Sequence, residues 1–176
     1  MTKKLWTLDP AHTSVDFSVR HMMISKVKGT FKEFSATIVA DPEDLTTAEI
    51  AFEVQMNSID TRNADRDNHL RTNDFFEIEK YPTMNFVATK IVKTDDGEYN
   101  VVGNLTIKDV TREETFTANF EGSGKDPWGQ LKVGFSVEGK INRIDYGIVY
   151  NAALETGGVL IGDQVKISLD VQAIIA

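Results

Sequence analysis

Three histidines, His12, His21 and His69, are the side chains in this 176-residue sequence best suited to chemistry. A metal or acid–base site needs two or more of them to converge with carboxylates. His12 and His21 differ in strand phase, so the sequence does not bring them together. His21 runs in phase with Val15, Phe17 and Val19, which points it inward at a strand end. There it either meets a polar head group at a cavity mouth or bonds a backbone carbonyl as a core histidine.

Two further clusters are dense in titratable groups. In Asp65-Arg66-Asp67-Asn68-His69, Asp65 and His69 share a helix face, a spacing that suits acid–base work. The plainer reading is a solvated helix whose charges cap and pair with neighbours. Arg143-Ile144-Asp145-Tyr146-Gly147 ends the longest strand. Arg143 follows Ile141 in the apolar phase and needs a partner there. It either grips an anionic group or pairs with Asp145 across a rim while Gly147 makes the turn. The sequence holds no Gly-rich phosphate loop, nucleophile elbow or metalloprotease motif. The residues therefore indicate a binder rather than an enzyme, with no catalytic residue and no metal site expected.

Composition narrows the partners. The chain has 27 acidic and 19 basic residues, a formal charge of −8, and no cysteine. Thiol chemistry and zinc–thiolate sites are excluded. A field of that sign repels nucleic acid and anionic lipid surfaces, so no nucleic-acid partner and no membrane-docking patch are expected. No apolar run approaches a membrane span. Lys3 and Lys4 are not followed by an apolar stretch, and Asp9-Pro10 interrupts the run, which leads to the expectation of a cytoplasmic protein.

The elements that must position these residues are strands. Apolar residues recur with period two in Val15–His21, Ile50–Met56, Tyr99–Ile107, Phe116–Phe120, Leu131–Ile141 and Val165–Ala173. Residues 27–40 and 83–93 are less regular but still punctuated by β-branched and aromatic side chains. The usual spacing gives about eight strands. One apolar and one wet face is the antiparallel pattern, and long strands of that kind close into a barrel, with a two-sheet sandwich second. Asp95-Asp96-Gly97 reads as a hairpin turn, Gly122–Gly129 as a longer loop, and Gly157-Gly158 as part of a loose connection from about 148 to 162. The one helical segment is Asn63–Leu70, capped by Asn63, with Asp67 and Arg71 spaced as an ion pair. No internal repeat or linker divides the chain, so residues 1–176 form one domain.

Strand phase alone points Phe17, Val19, Phe52, Val54, Leu105, Phe116, Phe135, Val137, Ile167 and Leu169 inward. Ten phenylalanines and two tryptophans could either line such an interior or fill it.

The motifs resemble the YceI-like family of lipocalin-like, polyisoprenoid-binding proteins. The resemblance is carried in order by Trp6–His12, Phe17–His21, Gly29-Thr30-Phe31, Ser58–Thr61, Arg66–Leu70, Phe75-Phe76, Tyr81-Pro82, Gly103–Ile107, Val110-Thr111 and Arg143–Gly147. One departure is Asp109, where family members often carry glycine. The resemblance implies an extended eight-stranded antiparallel lipocalin-like barrel with one short helix. It also implies a bound polyisoprenoid, such as an isoprenoid quinone or polyprenyl phosphate, and no other cofactor. Relatives that bind fatty amides or other lipids leave fatty acid or fatty amide as an alternative, and homodimers occur in the family. On this reading the inward set above holds the tail, and His21 and Arg143 contact the polar head. The rivals are a barrel packed solid with a structural or stress role, and a His-dependent metal enzyme.

Overall fold

The computed structural model describes residues 2–152 and 160–175. The period-two segments form strands β1 (Lys4–Leu8), β2 (Ser14–His21), β3 (Ser25–Phe31), β4 (Phe34–Asp41), β5 (Asp44–Gln55) and β6 (Ile59–Asp60). After the single helix, α1 (Ala64–Leu70), come β7 (Thr83–Asp95), β8 (Glu98–Ile107), β9 (Val110–Lys125), β10 (Leu131–Asn142) and β11 (Ile161–Ile175).

These segments make eight staves, because three pairs are single staves with a break. β1 and β2 are separated by the turn Pro10–His12, which Asp9 caps by accepting a bond from the Ala11 amide. β3 and β4 are separated at Lys32-Glu33, and β5 and β6 at Met56–Ser58. Each stave pairs antiparallel with its chain neighbour, β2 with β3 and β1 with β4 included. The ring closes on β11. Its residues Val165–Asp170 pair with β2, and Ala173–Ile175 pair with β1. At the handover, the Thr13 hydroxyl bonds the Gln172 carbonyl at 3.2 Å, so the stave break costs no orphaned group there. A closed antiparallel barrel has no edge strand to protect.

The punctuation differs from expectation at one place. Asp96-Gly97 is the two-residue hairpin read from the sequence, with Gly97 at φ +72°. The loop expected over Gly122–Gly129 is shorter, because β9 runs on through Gly122 and Gly124 to Lys125. Glu121 is the extra residue of a bulge opposite Gly134 and Phe135, and glycines there let the strand bend without stopping. Gly157-Gly158 lies outside the described residues.

The helix is correctly capped: Asn63 accepts from the Arg66 amide at 3.0 Å. The Asp67–Arg71 ion pair is not formed. Asp67 is buried and accepts from both the amide and the hydroxyl of Thr61, while Arg71 donates to Asn68 and to the Asn57 and Ile59 carbonyls. The tertiary contact to Thr61 outcompetes the local pairing, because a buried carboxylate needs donors more than a surface one does.

Candidate functional site

The inward rows of the staves do not fill the barrel. Among the described residues two chambers stand out, one of about 500 Å³ at the end where α1 sits and one of about 200 Å³ further along the lumen. They meet at Val15, Met84 and Ile167, which line both. The second chamber is walled in part by Trp6, Ile38, Ala40 and Ala173, which form one core cluster with Val133 and Ile175. The two volumes together fall in the range of about 300–1,000 Å³ typical of sites that enclose a small ligand.

Why the lumen stays open is visible in its glycines. The ring of Phe17 lies over Gly29, that of Phe86 over Gly103, and that of Phe116 over Gly139, each where a β-carbon would otherwise stand. A phenylalanine placed over a glycine on the next stave lies along the wall instead of projecting into the axis. Each of these three glycines, a poor strand former by propensity, thus has a packing role.

The chambers differ in chemistry. Among the described residues no charged side chain lines the deep one, whose walls include Phe52, Val54, Leu105, Phe116, Phe135, Val137 and Leu169. The outer one mixes apolar residues with Asp16, Arg20, His21, Asn63, Asp65, Arg66, His69 and Arg143. The mouth is therefore where a polar head can be solvated while a tail lies below it.

A YceI-like domain model matches residues 6–173 of the chain. The chain belongs to the YceI-like family. It is similar to the UPF0312 protein of Staphylococcus epidermidis, 48% identical over 167 residues and 94% of each chain. It is also similar to the YCEI protein of Campylobacter jejuni, whose crystal structure superposes with a TM-score of 0.76 at 35% identity over 88% of both chains. The polyisoprenoid binding domain from Saccharophagus degradans shares the fold, with a TM-score of 0.68 at 12% identity over 98% of this chain and 99% of that one.

In this YceI-like barrel every residue chosen by strand phase lines a chamber. Phe17 and Val19 face the outer one with His21, Ile167 faces both, and the rest face the deep one. The three histidines stay apart in role. His12 bonds Asp9 at 3.0 Å, and His69 bonds Asp74, not Asp65, at 2.8 Å while stacking edge-on against Phe75 and Tyr150. Among the described residues no group of three His, Asp or Glu side chains is placed to hold a metal ion.

Arg143 lines the outer chamber but departs from the expected pairing with Asp145. It is 4% exposed. Its Nε donates to the Gly162 carbonyl at 2.9 Å, and its Nη1 to the Ile148 and Tyr150 carbonyls at 2.7 and 3.0 Å. Burial pulls the guanidinium below the usual arginine range, and Asp163 at 3.8 Å opposes that shift. Arginine tolerates the site because it remains charged and its fork matches several carbonyls at once. The side chain thus clips the segment after Gly147 to β11, and most of its donors are already engaged.

The lining residues that phase reasoning missed are chiefly Trp6, Met84, Phe86, Phe75 and Tyr150. Met84 and Phe86 sit in β7, whose bulges at Ala88/Lys90 and Lys93/Asp95 break the period-two signal. Phe75 and Tyr150 lie outside strands, where no periodicity marks an inward side chain.

Proposed function

We propose that this protein binds and carries one long-chain apolar amphiphile, with the tail in the deep chamber and the head at the mouth. The class that fits best is a slender polyisoprenoid such as an isoprenoid quinone or a polyprenyl phosphate. The observation that carries this reading is the division of the lumen: an apolar chamber with no charged lining residue among the described ones, adjoining a chamber with a polar, charged rim. The Saccharophagus degradans domain is described as binding polyisoprenoids; at its level of identity it lends the fold, and the ligand class rests on the chambers.

The energetics support it. A tail burying roughly 500 Å² gains about 12 kcal/mol at ~25 cal/mol/Å². Immobilisation costs about 4–15 kcal/mol, and a preformed lumen keeps the cost at the low end. A barrel packed solid would offer no such gain, and the two chambers count against that alternative.

The test is mass spectrometry of an organic extract of the purified, unsupplemented protein. One equivalent of an isoprenoid lipid supports the reading. A fatty acid or fatty amide in its place would keep the carrier role and replace the ligand class. An empty extract with no thermal shift on adding polyprenyl compounds would overturn the reading.

A further inference from the structure

The strand register collects positive charge on one patch of an otherwise acidic protein. Across four adjacent strands, Lys140 of β10 stands opposite Lys166 of β11, Lys166 opposite Ser18 of β2, and Ser18 opposite Lys28 of β3. One step closer to the mouth, Arg20 stands opposite Lys26. All five basic residues are exposed, and among the described residues none forms a salt bridge. Like charges placed directly opposite on a sheet are destabilising, so the arrangement costs stability and needs a reason. The acidic residues Asp16, Glu138 and Asp170 come only further along the staves, and Asp163 at the bulge is drawn toward Arg143.

Immediately beyond this patch, the β2–β3 hairpin projects an apolar tip. Met23 is 56% exposed and Ile24 79% exposed, with Met22 and Met23 held at positive φ. The Met22 amide donates to the Leu160 carbonyl at 2.8 Å, which fixes the tip beside the mouth of the outer chamber. Val149, 61% exposed between the chamber residues Ile148 and Tyr150, adds a second apolar point at the mouth. Exposed apolar side chains backed by unpaired lysines and arginine are what an anionic lipid surface attracts: the tip enters the headgroup boundary and the charges meet the phosphates.

We propose that the Met22–Ile24 tip and the basic patch formed by Arg20, Lys26, Lys28, Lys140 and Lys166 dock the mouth of the barrel on an anionic bilayer. The net charge of −8 led to the opposite expectation; the fold overrides it by segregating the charge. This proposal rests on the carrier reading for its purpose, since a docked mouth lets a lipid pass from the bilayer to the lumen without crossing water, but its measurement is independent of lumen contents.

The experiment is co-sedimentation of the full chain with vesicles of phosphatidylcholine alone and of phosphatidylcholine mixed with phosphatidylglycerol in equal parts. Binding is expected to the mixed vesicles at low salt and to weaken as salt rises. Each basic side chain near such a surface contributes roughly fivefold to binding. Lys28→Glu with Lys166→Glu should therefore reduce binding by more than tenfold, and Met23→Ser with Ile24→Ser should abolish it. Lipid extracts and melting curves of the same variants separate a failure of docking from loss of ligand or fold. Equal binding to both vesicle types, no binding to either, or variants that bind like the parent would overturn the proposal. So would a dimer that the Met23→Ser, Ile24→Ser variant dissociates, since that assigns the tip to a second copy of the chain.

Discussion

The phenyl ring of Phe116 on β9 occupies the space that a β-carbon on Gly139 of β10 would claim. Phe116 is buried and forms part of the deep chamber wall, and its edge meets Phe86 at a centroid distance of 5.2 Å. Phe86 in turn covers Gly103, so two of the glycine-backed rings brace each other across three staves.

Gly139→Ala should therefore push the Phe116 ring off the wall and into the lumen. Overpacking of this kind costs about 1–3 kcal/mol. For a chain of this size that lowers the melting temperature by roughly 2–4 °C per kcal/mol. Calorimetry and the lipid extract check both consequences: lower stability, and a shorter or absent bound tail. Adding Phe116→Leu should restore part of each, a coupling that a double-mutant cycle reads directly.

Val137→Trp tests the deep chamber from the opposite direction. Val137 lines the chamber, so volume added there projects into the cavity. The expected outcome is a melting temperature within a few degrees of the parent and at least a tenfold fall in extracted lipid. Unchanged lipid uptake would show that the tail does not lie there.

Arg143→Met should act on stability. Removing the guanidinium leaves the carbonyls of Ile148, Tyr150 and Gly162 without their donor. Breaking a buried charged network costs about 3–5 kcal/mol. Amide exchange in residues 148–150 should rise, and Arg143→Lys should recover only part because a single ammonium cannot span the same carbonyls.

Acid stability should depend on Asp9. Its carboxyl is held below the usual carboxylate range, first by the bond to His12, then by the Ala11 amide and by the charges of His12 and Lys132, with partial burial opposing. A carboxyl depressed in the folded state contributes stability that is complete above its unfolded value of about 3.9 and disappears as pH falls through the folded value. Asp9→Asn should thus lower stability at neutral pH by about 1 kcal/mol or less, and the difference should vanish in denaturation curves taken at the acid end.

Much of the lumen was legible because period two survives wherever a stave is regular. Val15–His21, Leu131–Ile141 and Val165–Ala173 keep their phase over their whole length, and phase alone identifies which side chains face in. β7 was not legible, since its bulges shift the phase twice. Nor was the hollow interior: the same phenylalanines would fill a barrel whose neighbouring staves carried β-carbons in place of Gly29, Gly103 and Gly139. The basic patch was hidden for a different reason. Lys28, Lys140 and Lys166 are far apart in sequence, and only the closure of β11 onto β2 makes them neighbours. The partners of Arg143 were not legible either, because they are main-chain carbonyls, which no side-chain pattern announces.

The meeting of the chambers at Val15, Met84 and Ile167 carries one more consequence. Two branched side chains are stiff, whereas a methionine swings through many rotamers, so the junction of the chambers yields on the Met84 side. A limp hydrocarbon can thread past it bond by bond. A fused-ring molecule of equal greasiness, such as a sterol, has no slim leading end and would halt in the vestibule. The barrel should therefore discriminate by suppleness, a property that hydrophobicity alone does not measure.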